Sequence, residues 1–371
     1  MLHLSPKAMK RLFFLLSAII TSVCFSQEKQ YSDYFDVNYF YGNIINHNND
    51  ILPLITDRPE GVILSWNRKT FGFKDWEQHY NYPDFGASFI YQNFKNESLG
   101  ENYGIYAHYN FYFLKRNLLF RVGQGLAVAT NPFDKETNFR NVAFGSRLLS
   151  STYVLINYKK ENIIDRFGLQ AGLALIHYSN ANFKAPNTSV NSISLNVGVT
   201  YNLDEDLPEY QNTLVKEKYT EPVKFNFAFR SGVNESDIID SGVFPFYILS
   251  AYADKRLNRK SAIQLGSEIF FSNFLKKYIR FQSIAFPENE IEGDEDFKRV
   301  GVFAGHELFV NRFSVLTQVG YYVYWPVSFE DRVYLRAGLK RYFGKKLYGS
   351  LTLKSHGAQA ENVEFGIGIR L

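Results

Sequence analysis

Phe167-Gly168-Leu169-Gln170-Ala171-Gly172-Leu173-Ala174-Leu175-Ile176-His177-Tyr178-Ser179 alternates with a period of two, and Asn191-Ser192-Ile193-Ser194-Leu195-Asn196-Val197-Gly198-Val199-Thr200-Tyr201 does the same shortly after it. Successive side chains of a β-strand point to opposite faces. Phe167, Leu169, Ala171, Leu173 and Leu175 therefore share one face, and His177 and Ser179 continue it. In the second stretch Ile193, Leu195, Val197, Val199 and Tyr201 share a face with Asn191. The opposite faces carry Gly168, Gln170, Gly172 and Ala174, then Ser192, Ser194, Asn196, Gly198 and Thr200. An apolar outside and a small, polar inside describe a hairpin of a membrane β-barrel. In such a hairpin His177, Ser179 and Asn191 lie together at one end of the lipid-facing surface.

The same alternation extends along the chain. Hydrophobic residues make up 46% of it and aromatic residues 17%. Beyond the N-terminus no run approaches the ~20 consecutive apolar residues of a spanning helix. The apolar residues are dispersed, as barrel strands require. Strands are predicted near 34–43, 61–69, 84–94, 102–113, 117–128, 145–158, 166–179, 190–203, 223–233, 243–256, 260–272, 298–310, 312–325, 332–343, 346–356 and 362–371. The pattern predicts an all-β fold, an antiparallel outer-membrane β-barrel of about 12–16 strands. Residues 27–371 are expected to form it as a single transmembrane domain.

Residues 1–26 read as a secretory signal peptide. Lys7, Lys10 and Arg11 form its basic region, Leu12 to Val23 its apolar one, and cleavage is expected after Ser26. Cys24, the one cysteine, would leave with it, so no disulfide is expected in a compartment that permits them. The formal net charge of +4 gives no support to a nucleic-acid partner.

Connection lengths orient the strands. Lys115-Arg116, Asn311-Arg312 and Gly344-Lys345-Lys346 make short turns at one end, expected to be periplasmic. Ser272 to Phe297, with acidic residues from Glu288 to Asp296, and the hairpin tip 180–190 fall at the other, extracellular end. Two segments fit this scheme poorly: Thr70 to Pro83 and Asp204 to Pro222 become long connections on the short-turn side.

The hairpin carries a catalytic pattern. Residues two apart on a strand share a face ~6–7 Å apart at the backbone, so His177 can take the hydroxyl proton of Ser179. Asn191, across the hairpin, can accept from the other imidazole nitrogen and fix the ring. This is the logic of nucleophile, base and orienter. Backbone N–H groups at Asn180, Ala181 and Asn182 are candidates for an oxyanion hole. A lone H-x-S occurs by chance about once in several hundred residues. Here it gains weight from two polar residues on an apolar face and from the matching parity of Asn191. His306-Glu307 lacks a second ligand at metal-binding spacing, and no metal site is expected.

His177-Tyr178-Ser179-Asn180-Ala181 followed by Pro186-Asn187 resembles the signature of the lipid A 3-O-deacylases (PagL) and the related bacterial acyloxyacyl hydrolases. The resemblance implies an outer-membrane barrel of a Gram-negative bacterium. It implies an esterase that removes an ester-linked acyl chain from lipid A, with Ser179 as nucleophile and His177 as base. Those enzymes place a glutamate where this chain has Asn191. In that third residue the chain is similar to outer-membrane phospholipase A. The expected partners are lipid A or lipopolysaccharide as substrate and the surrounding membrane lipid. No cofactor is expected, except calcium if the phospholipase resemblance holds. A non-catalytic structural barrel or passive channel is the alternative from another class. The sequence leaves oligomeric state and acyl-chain preference open.

Overall fold

The computed structural model describes residues 30–214, 219–235, 239, 241–357 and 359–371. The expected signal peptide, with Cys24, lies outside them. Sixteen strands form, close to the predicted places. They are β1 (Tyr31–Ile44), β2 (Glu60–Thr70), β3 (Asp84–Asn93), β4 (Glu101–Phe113), β5 (Leu118–Ala129), β6 (Leu148–Ile164), β7 (Phe167–Ser179) and β8 (Val190–Asn202). Then follow β9 (Lys224–Asn234), β10 (Phe244–Arg256), β11 (Ser261–Ser272), β12 (Lys298–Val310), β13 (Phe313–Tyr324), β14 (Val333–Phe343), β15 (Leu347–His356) and β16 (Gln359–Arg370).

These strands do not close as one barrel. β8 returns to pair antiparallel with β1, with Val199 opposite Val37, and β16 pairs with β9, with Ile367 opposite Phe229. The result is two closed barrels of eight strands each. Alternation gives each strand two faces and two open edges, but it does not say which later strand takes the last edge. The closure accounts for one of the two awkward segments, and the other holds a helix within the first barrel. Residues 203–223 are the connection from one barrel to the other, and residues 71–83 carry a short helix, α1 (Asp75–His79).

The faces are as the alternation predicts. On the first barrel Leu169, Leu173, Leu195 and Val197 are exposed, as are Phe225, Phe227, Leu265 and Val319 on the second. Inside, a barrel of eight strands has room for side chains and little else. The first interior changes along its axis. Near the short turns Arg121 pairs with Asp36 at 2.6 Å, and its other donors reach Ser65 and Asn110. Toward the long loops Phe40, Ile63, Ile90, Phe94, Phe144, Leu149, Ile176 and Tyr178 form an apolar core. The second interior is ionic: Arg336 bonds Glu268 and Glu364, Lys340 bonds Glu307, and Arg299 bonds Glu361. Both interiors are filled with side chains, which counts against a passive channel.

Among the described residues no helix is long and apolar enough to cross a membrane. The barrels touch at the short-turn end, where the Tyr80 hydroxyl donates to the Phe309 carbonyl at 2.5 Å.

Candidate active site

The register sets His177 directly opposite Asn191 on β7 and β8. Such partners hold their Cβ atoms about 4.5–5.5 Å apart. His177 Nδ1 lies 2.7 Å from Asn191 Oδ1. An amide oxygen can only accept, so Nδ1 carries the proton and Nε2 keeps its lone pair. His177 follows the outward-facing Leu173 and Leu175 and is half-buried at the rim of the barrel. Ser179 is the last residue of β7 and is 5% exposed. Its hydroxyl donates to Asn187 Oδ1 at 3.1 Å rather than to His177. Two strand positions separate serine and histidine, a gap that rotation of the serine side chain must close. Catalytic hydrogen bonds in unliganded sites are often made only when substrate arrives.

The three expected oxyanion donors differ in their surroundings. Asn180 N–H donates to Asn187 Oδ1 at 2.9 Å, and Asn182 N–H to Asn180 Oδ1 at 3.1 Å. Ala181 N–H donates to Ser179 Oγ itself at 2.9 Å. Ala181 is thus the one of the three that faces the hydroxyl. Ala181 and Asn182 take φ of 54° and 61°, a left-handed turn that residues with a Cβ seldom adopt.

Neighbouring loops hold that turn in place. Gly145 N–H donates to the Pro186 carbonyl at 2.7 Å, and Thr188 N–H to the Val142 carbonyl at 3.1 Å. The buried Asn141 side chain ties this neighbouring loop back to Ser98 and Asn131. His47 Nε2 lies 3.0 Å from the Thr188 carbonyl. Asn187 is the residue that sequence reasoning missed. Its one signal was its place in the Pro186-Asn187 pair, and its contacts with Ser179 and Asn180 depend on how the loop folds back.

The other histidines divide by environment. His108, in the first lumen, lies between Ser88 Oγ at 2.7 Å and Asn67 Oδ1 at 2.9 Å, an interior polar group as its parity predicts. In the second lumen His356 meets Glu361 and Glu330, which together could hold a metal ion. Glu361 is already engaged by Arg299 and Lys354, so side chains match its charge. His306 and Glu307 point to opposite faces of β12. His306 Nε2 meets Ser261 Oγ at 2.5 Å on the outside of the second barrel. This Ser–His contact is exposed, and among the described residues nothing bonds the His306 Nδ1.

Residues 60–200 match the family model described as lipid A 3-O-deacylase (PagL), and residues 223–371 match that of the acyloxyacyl hydrolase C-terminal domain. The chain belongs to the PagL family. The two matches part at the inter-barrel connection, as the closed barrels do, and the first contains His177, Ser179 and Asn191. No curated protein matches the chain. Among solved structures it is similar to Neisserial surface protein A, at 13% identity and a TM-score of 0.26, over 47% of this chain and 99% of that one. It is also similar to a triple mutant of the Rh. blastica porin, at 10% identity and a TM-score of 0.18, over 92% of this chain and 100% of that one. At those scores the likenesses carry no further argument. Within the matched range the Asn191 amide oxygen accepts from the histidine fourteen positions before it.

Proposed function

We propose that this PagL-family protein is an outer-membrane serine esterase that removes an ester-linked acyl chain from lipid A. The observation that carries the reading is the His177–Asn191 pair beside Ser179, at the long-loop rim and on the apolar outer face. A lipid ester can reach that place without leaving the membrane. If the long loops face the cell exterior, the rim meets the leaflet that holds lipopolysaccharide.

Each side chain has a defined task. Ser179 Oγ attacks the ester carbonyl and His177 Nε2 takes its proton. The Asn191 oxygen keeps the ring oriented through Nδ1–H. Ala181 N–H, which faces Ser179 Oγ, is the donor closest to the oxygen that gains charge. Return of the proton expels the sugar hydroxyl. Water, deprotonated by His177, then releases the fatty acid from the acyl-enzyme and frees Ser179.

Asn191 favours one second reading, a phospholipase A. Purified protein assayed on lipid A and on phospholipid, with calcium and with a chelator, separates the two. The deacylase reading expects fatty-acid release from lipid A in the chelator, abolished by Ser179→Ala. Calcium-dependent release from phospholipid alone would replace it with the second reading. Full activity of Ser179→Ala would reject both.

A further inference from the structure

The loop that surrounds Ser179 is not completed by its own barrel. Ala185 is almost fully buried, and its N–H donates to Oε2 of Glu235 at 2.9 Å. Glu235 belongs to the second barrel, immediately after β9. Its own N–H donates to the Asn182 carbonyl at 3.2 Å, and the Asn182 side-chain amide reaches back to the Glu235 carbonyl at 3.4 Å. Three hydrogen bonds from one residue of the second barrel thus converge on residues 182–185. That segment lies between the two ends of the site. On one side Asn180 gives its N–H to Asn187 and its side-chain amide to the Lys184 carbonyl. On the other, Asn187 accepts from Ser179 Oγ.

Glu235 is itself fixed. It is 3% exposed, and Oε1 accepts the Gly242 N–H at 3.1 Å from within the β9–β10 connection. Among the described residues no lysine or arginine pairs with it. A carboxylate taken out of water and held by backbone N–H groups alone is unfavourable unless those bonds are well made. Here each oxygen has one, and one of the two donors is in the other barrel. A cation would have been the simpler way to keep a carboxylate buried. A donor from a loop of the first barrel instead makes its charge serve the shape of that loop.

We propose that Glu235 is a positioning residue through which the second barrel fixes the Ser179 loop. The carboxylate clamps Ala185, and the clamp sets the spacing of Asn180 and Asn187 around Ser179. The second barrel then has a role without chemistry of its own. This inference rests on the esterase reading above, because its effect on rate is read through Ser179.

The test uses the full-length protein in detergent or in lipid A vesicles. Glu235→Ala should lower kcat by about tenfold or more with KM nearly unchanged, because displacement by a fraction of an ångström acts on the reacting geometry. Glu235→Gln keeps one carbonyl acceptor and should restore part of the rate. Hydrogen exchange, read by mass spectrometry, should quicken at residues 181–187 in Glu235→Ala and stay unchanged in β7. Tyr80→Phe cuts the inter-barrel bond at the opposite end and should alter neither kcat nor exchange in that loop. Unchanged exchange at 181–187, or wild-type kcat in Glu235→Ala beside an inactive Ser179→Ala, would overturn the proposal. Equal losses in Glu235→Ala and Tyr80→Phe would also overturn it, since general docking of the barrels would then suffice. An active Ser179→Ala would reject the esterase reading, whereas the exchange experiment tests the clamp independently of activity.

Discussion

The two barrels have the same number of strands and the same outward alternation, but they are filled differently. The first has a polar lower half and an apolar upper half, with Phe94, Phe144, Ile176 and Tyr178 packed beneath the long loops. The second carries ion pairs through its length, from Lys340–Glu307 near the short turns to Arg299–Glu361 near the long loops, with smaller aromatic clusters around Phe270 and Tyr252 alongside them. Buried ion pairs brace a wall, but their desolvation offsets much of their attraction, so they add little net stability. A close-packed apolar core is less compressible and holds its lining in one arrangement. The loop that follows Ser179 lies over the apolar core. His177 and His306 are outward-facing histidines, one on each barrel. His177 bonds the Asn191 amide oxygen and has the shielded Ser179 two positions on, whereas the exposed His306 side chain bonds only Ser261 among the described residues.

The contrast between these two histidines gives the largest expected difference. His177→Ala should reduce ester hydrolysis by about a thousandfold or more, as loss of the base in a serine hydrolase does. His306→Ala should leave the rate unchanged. Equal losses, measured as fatty acid released by purified protein, would erase the distinction between the barrels.

Glycine substitutions test the next difference, between a loop that is clamped and a wall that is not. A Cβ on Gly145 would lie 2.6 Å from the Ala185 carbonyl oxygen, against backbone of the loop that follows Ser179. Gly145→Ala should therefore lower kcat by about tenfold to a hundredfold by displacing that loop. A Cβ on Gly349, in β15, would meet nothing closer than 3.4 Å. Gly349→Ala should be neutral in rate and in heat-modifiable gel mobility.

The smallest effect belongs to Asn191. An amide orients the imidazole but does not balance its charge, so Asn191→Ala should lower kcat by about tenfold with KM little changed. Asn191→Glu should retain substantial activity, because a carboxylate can hold Nδ1–H in the same place. Wild-type kcat in Asn191→Ala would show that the 2.7 Å contact does not matter to the reaction.

Much of this was legible in the sequence because strand alternation is a local property. Val363, Phe365 and Ile367 facing away from Glu364 and Gly366 are enough to place a strand and both of its faces. The His177–Asn191 contact was legible for the same reason, since alternation puts both residues on the apolar face at the same end of neighbouring strands. Closure was not legible. The pairing of β8 with β1 depends on which of two similar edges meets first, and nothing in the alternation of either strand encodes it. The length of residues 203–223 was the available sign of a second barrel. Asn187, Gly145 and Glu235 were not legible as site residues because each acts through loop backbone that folds back over Ser179. Their contacts span from 7 residues, Asn187 to Asn180, up to 50, Glu235 to Ala185.

The most direct test of the central claim is mass spectrometry of lipid A from cells that express the wild-type protein or Ser179→Ala at equal, folded levels in the outer membrane. The account predicts loss of one ester-linked acyl chain from lipid A in wild-type cells and intact lipid A in the variant. Identical lipid A in both would contradict it.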